Sequence, residues 1–179
     1  QQVFQGATLY FDLPGDDMGR LRLLAREEDA TLFMIVLAAY YILLSRLSGQ
    51  DDIVIGFPAA GRNHADLENV NGMFVNTLAL RGRCSGDTTI RQFIGSVRKN
   101  VLEAFAHQDY PFETLVENVA VQRELNRNPL FDAFLAWENI DVAELRLPGL
   151  MIGQLEYEAP AAKFDLTIRA AETGDGLLY

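Results

Sequence analysis

The stretch "TLFMIVLAAYYILL", Thr31 to Leu44, constrains the fold more than any other part of this 179-residue chain. It runs for 14 residues without a charge and is bounded by "REED" and "SRLSGQDD". As a helix it would rise only about 21 Å, short of the roughly 30 Å hydrocarbon core of a bilayer. The segment therefore reads as a buried helix. Being apolar on nearly every side, it must be covered over most of its circumference.

The flanking sequence supplies that cover. "ATLYFDL" reads as a short strand closed by "PGDD", and Asp16 or Asp17 is placed to cap a first helix reaching Glu28. Asp29 is the expected cap of the buried helix, and Gly49 its end. "DDIVIGFPA" is apolar on both faces, as befits a strand at a sheet centre covered by helices. A polar loop, "AGRNHADLEN", leads to a second strand, "MFVNTLALRG". "SGDTT" then caps a helix from Ile90 to about Gln108, with Phe93, Val97, Val101, Leu102 and Phe105 three or four apart. Pro111 opens a short helix, "FETLVENV", and "QRELNRNP" is a polar connection. "LFDAFLAWEN", "LMIGQLEYEA" and "KFDLTIRAAE" are strand-like. The order β-α-α-β-β-α-α-β-β-β predicts one α/β domain, a mixed sheet packed with helices.

Composition narrows the partners. Hydrophobic residues make up 49% and charged residues 22%, the balance of a folded globular chain. A net charge of −10 disfavours nucleic acid and anionic membranes. The single cysteine excludes an intrachain disulfide, and two separated histidines leave few ligands for zinc. The start, "QQVFQGATLYFDLPGDD", lacks the basic and apolar regions of a signal sequence. With no initial Met and an ending on "GDGLLY", the chain reads as a piece of something larger.

Catalytic signals are thin. His64 with Asp66 is an ordinary loop pair, and His107 sits at a helix end, where a histidine is favourable electrostatically. Cys84 follows Arg83, which would lower its pKa, but no base is aimed at it. No serine elbow, phosphate loop, metal spacing or cofactor fingerprint is present. Arg62 follows the central strand, where α/β folds place binding groups; it is otherwise a solvated arginine or a partner of Asp66 or Glu68. Asn76 is the anomaly. Alternation puts Phe74, Asn76, Leu78 and Leu80 on one strand face, and an unpaired amide there costs about 1–3 kcal/mol. It must bond to backbone or water, or else face a cavity.

Four stretches then carry a resemblance: "IGFPAAGRNHADLENVNGMFVNTLALR" (Ile55 to Arg81), "HQDYPFETLV" (His107 to Val116), "RNPLFDAFLAWEN" (Arg127 to Asn139) and "KFDLTI" (Lys163 to Ile168). Together they resemble the C-terminal part of a condensation domain from a non-ribosomal peptide synthetase. The resemblance implies one lobe of a two-lobed fold like that of chloramphenicol acetyltransferase, with residues 1–179 as the C-terminal lobe, truncated at both ends. It implies an amide-forming acyltransferase of a cytoplasmic multienzyme, which joins a donor thioester to an acceptor aminoacyl thioester in a tunnel between the lobes. Its partners would be the N-terminal lobe, the carrier domains with their phosphopantetheine arms, and an adjacent adenylation domain. The domain itself would bind no cofactor.

The family's H-H-x-x-x-D-G motif belongs to the N-terminal lobe, and this sequence has no adjacent histidine pair. The resemblance therefore places no catalytic residue here and implies that the isolated fragment is inactive. It puts Asn76 and Arg62 at or near the tunnel, as lining or supporting residues. Epimerisation and cyclisation domains share the fold, and a degenerate docking platform would keep the same motifs.

Overall fold

The computed structural model describes residues 5–67, 70–119, 127–138, 161–172 and 177–178. Its elements are β1 (Asp12–Leu13), α1 (Gly15–Glu27), α2 (Leu32–Ser48), β2 (Asp52–Ala59), β3 (Asn76–Arg83), α3 (Ile90–Ala106), α4 (Phe112–Asn118), β4 (Ala133–Glu138), β5 (Leu166–Glu172) and β6 (Leu177–Leu178). The strands form one mixed sheet in the order β1-β6-β5-β4-β2-β3. β2, β4 and β5 run parallel, with Ile55 opposite Ala133 and Ala133 opposite Leu166. β3 pairs antiparallel at one edge, setting Ala59 against Asn76, and β6 and β1 close the other. The mixed, helix-packed sheet is the architecture expected. The strand expected at "LMIGQLEYEA" lies outside the described residues.

The apolar segment does form the core helix. Met34 to Ala38, Tyr40 and Tyr41 are buried, packing with Phe93, Ile94, Val97 and Val101 of α3 on Ile55, Phe57, Leu80 and Leu135 of the sheet. Burial covers the first three turns; Leu43 and Leu47 further along are exposed. Both tyrosine hydroxyls find carbonyls in the sheet, Tyr40 donating to Leu166 O (3.0 Å) and Tyr41 to Leu80 O (2.8 Å). That satisfaction lets two phenols lie in an apolar core, where burial pushes both pKa values far above the ordinary range.

Several expected boundaries move. Only Asp12–Leu13 of "ATLYFDL" pairs as strand. α1 begins after Pro14, which carries no capping side chain, so Asp16 and Asp17 lie within its first turn and favour it through the helix dipole. The cap of α2 is Thr31, whose Oγ1 accepts from Met34 N (3.3 Å), and not Asp29. Asp29 instead turns the chain between the helices with φ of 50° and pairs with Arg98, while Arg91 holds Glu27 (2.8 Å) and Glu28. Gly49 ends α2 in the left-handed region, as expected. In α3, Leu102 is exposed, and Ile94 takes its expected place in the core.

Candidate functional site

The three parallel strands deliver their C-terminal ends to one side of the sheet, where β2 continues into residues 60–67 and residues 70–75 lead into β3. Arg62 organises this loop. Its guanidinium donates to the carbonyls of Leu67, Val70 (2.9 Å) and Gly72 (3.2 Å), and lies 4.6 Å over the ring of Phe74. Among the described residues it is thus bonded to backbone and not paired with Asp66, while Glu68, the other expected partner, lies outside the described residues. The planar fork gathers three carbonyls as a lysine could not.

Gly61 makes the fold of this loop possible. Its φ is +65°, and a Cβ there would sit 1.9 Å from the carbonyl oxygen of Phe74. Because the obstacle is backbone, it cannot swing aside. Gly61→Ala should open the loop, costing about 1–3 kcal/mol through strain. Limited proteolysis should then cut within residues 62–74 faster than in the wild type.

Asn76 opens β3, while Met73, Phe74 and Val75 lie before the strand. Its side chain is half-buried and bound to backbone alone. Nδ2 donates to Gln108 O and Tyr110 O, each at 2.8 Å. Oδ1 accepts from Thr77 N (2.9 Å) and Phe112 N (3.3 Å). These four bonds exhaust what an amide can make. The backbone alternative thus describes Asn76, and its partner is the turn "HQDYPF" that joins α3 to α4. The same turn receives Asn63 from the loop, whose Nδ2 lies 2.6 Å from Asp109 Oδ1. His107 faces Glu103 O through Nδ1 (2.9 Å), so it serves the end of α3.

Beneath the turn, four aromatic rings from three segments meet. Phe131 is 5.6 Å from Phe112, 5.6 Å from Phe164 and 6.1 Å from Phe134, and Phe134 stacks on Phe164 at 4.7 Å. The ring of Phe131 lies on Gly56 of β2, where a Cβ would fall 2.2 Å from it. "DYPFE", "RNPLF" and "KFDL" are thereby parts of one contact. Nothing in the local sequence of these stretches signals that they touch.

The remaining candidates separate from this region. His64 Nδ1 lies 3.4 Å from Asp66 Oδ2 and accepts from Asp66 N (3.4 Å), with both side chains strongly exposed. Cys84 departs from expectation. Burial pushes its thiol up, Asp51 adds to the effect, and Arg83 is turned to Asp52 (3.3 Å). Cys84 lines a cavity of about 450 Å³, and an apolar groove of about 600 Å³ runs between Leu13, Leu21 and α2. Neither is lined by Asn76 or Arg62. Among the described residues no cluster of three or more His, Cys, Asp or Glu could hold a metal ion, and no single helix is long and apolar enough to cross a membrane.

Comparison with known proteins assigns this framework. The family model described as condensation domain matches residues 1–179. Surfactin synthase subunit 1 of Bacillus subtilis (strain 168) is 46% identical over 178 residues, covering 99% of this chain and 5% of the relative. The chain thus spans about one-twentieth of that relative's length. Among solved structures, a four-domain nonribosomal peptide synthetase bound to AMP and glycine matches with a TM-score of 0.85 and 29% identity, over 99% of this chain and 15% of that one. The X-domain from teicoplanin biosynthesis matches with a TM-score of 0.81 and 25% identity, over 99% of this chain and 46% of that one. That X-domain is also solved in complex with OxyB.

Proposed function

The chain belongs to the condensation-domain family, and on that premise we propose that it supplies the C-terminal lobe of a domain that makes amide bonds in a non-ribosomal peptide synthetase. The observation that carries this is the match along the whole chain to surfactin synthase subunit 1, at 46% identity. Coverage of 46% of the X-domain chain supports a one-lobe reading, with the other half of such a fold as its partner.

In the proposed reaction the acceptor amine attacks the donor thioester carbonyl. A C–N bond forms, the C–S bond breaks, and the proton lost by the amine balances the thiolate that leaves. Both substrates are held on phosphopantetheine arms of carrier domains, and the adenylation domain that loads the acceptor is a neighbour. The groups that act on the reacting atoms come from the N-terminal lobe through its H-H-x-x-x-D-G motif. This chain holds the second wall: Asn76 and Arg62 support the site by fixing the turn and the loop. Catalysis of this kind needs both walls held within fractions of an ångström, so the isolated chain is inactive. The domain works in the cytoplasm, without nucleic acid or membrane.

The test joins the synthetase module containing this domain to donor and acceptor carriers of verified loading. Mass spectrometry should find dipeptidyl thioester on the acceptor arm. No product with both carriers loaded would overturn the reading. A second reading, a condensation-like platform that docks another protein, draws support from the likeness to the X-domain solved with OxyB. It would show as stable binding of a partner protein without amide formation.

A further inference from the structure

We propose that β3 is a guarded sheet edge, in which the side-chain amides of Asn76 and Asn100 hold the backbone groups through which a second copy of this chain would pair. The device belongs to the fold itself and is independent of the function proposed above.

β3 has β2 on one side and, among the described residues, no strand on the other. In an antiparallel pair, alternate residues turn their N–H and C=O toward the neighbouring strand and the rest turn them away. Three bonds settle which residues do which. Cys84 N donates to Asp51 O on the β2 side. Thr77 N turns instead to Asn76 Oδ1 (2.9 Å), and Pro58, which lies opposite Thr77, has no N–H to offer it. Arg81 O accepts from Asn100 Nδ2 (3.1 Å), which reaches over from α3. Even-numbered residues therefore serve the β2 ladder, and Thr77, Ala79, Arg81 and Arg83 present their backbone groups to the open edge.

Such an edge is a template for another strand. The symmetric pairing open to it is with its own copy, antiparallel about a twofold axis at Ala79. Ala79 then faces Ala79 of the second copy, and Thr77 faces Arg81, so that no like charges oppose one another at these positions. Each Thr77–Arg81 pair would exchange two bonds, one of them from Thr77 N to Arg81 O. Those two groups are the ones already taken, the donor by Asn76 and the acceptor by Asn100. Charge does not forbid the pairing; the two amides do.

The experiment is sedimentation velocity of the complete module containing this domain, over a range of concentrations, and it reads no turnover. Asn100→Ala frees Arg81 O and should self-associate about tenfold more tightly than wild type. Asn100→Asp, which repels that carbonyl while keeping the shape of the side chain, is the second variant and should behave in the same way. Adding Ala79→Pro to either should restore wild-type sedimentation. Proline at an outward-facing position removes no bond to β2 but blocks the new pairing. Hydrogen exchange reads the edge directly. In wild type the amides of Ala79 and Arg81 should exchange faster than those of Leu78 and Leu80, and in the Asn100 variants they should slow as concentration rises. Three results would each overturn the proposal: Asn100 variants that associate no more than wild type, association that survives Ala79→Pro, or wild-type amides of Ala79 and Arg81 as protected as those of Leu78 and Leu80.

Discussion

Phe131→Ala should destabilise the domain by about 3–5 kcal/mol, a large share of the 5–15 kcal/mol that holds a typical domain together. The ring is 5% exposed and lies among Phe112, Phe134 and Phe164, so its removal leaves a hole with aromatic walls. Those rings come from α4, β4 and the segment before β5, and none can close the gap without leaving its own element. The ring also lies against Gly56, which gives the prediction a second arm. Gly56→Val should also destabilise, because its Cβ would fall 2.2 Å from the ring and its methyls nearer still. In the double variant the valine enters space the ring has left. Urea denaturation should show a combined loss clearly smaller than the sum of the two single losses. Strict additivity would mean that ring and glycine do not share that space.

How much of this was legible in sequence differs from element to element. α2 was legible because fourteen uncharged residues leave a helix no other place than the core. Its cap was misplaced because aspartate is intrinsically at least as good a cap as threonine. Asp29, however, is needed for a tight turn with φ of 50°, a conformation that aspartate tolerates better than most residues. The alternation around Asn76 read correctly where strand exists, with Leu78 and Leu80 buried on its face. It failed at Phe74, which lies before the strand and serves as a platform for Arg62. Contacts between distant segments left no local trace. Nothing in the spacing of Phe112, Phe131 and Phe164 says that they touch, nor that Arg62 would gather three backbone carbonyls. Resemblance marked these stretches as belonging together, but geometry was needed to say what joins them.

Asn76→Asp should be the most damaging conservative change in the site. Aspartate has the same shape as asparagine but puts an oxygen where Nδ2 now lies 2.8 Å from two carbonyl oxygens. Two donations become two repulsions, while the bonds accepted from Thr77 N and Phe112 N can persist. Asn76→Ala, by comparison, loses the same bonds but lets water reach the carbonyls, since the position is only half-buried. At neutral pH the expected costs are about 2–3 kcal/mol for aspartate and about 1–2 for alanine. In a complete module, Asn76→Asp should reduce amide formation by roughly a hundredfold if that cost falls on the transition state. The pH dependence separates charge from shape. Facing two carbonyls, the new carboxyl has a folded pKa above its unfolded value of about 3.9, because only the protonated form can donate. The folded state therefore binds the proton more tightly. The penalty is full above the folded pKa and relieved as pH falls toward the unfolded one. Thermal melts from neutral pH downward should show Asn76→Asp gaining on Asn76→Ala across that interval. A constant difference between the two variants would mean that the carboxylate has swung away from Gln108 and Tyr110, and that the turn is held by something other than the Asn76 amide.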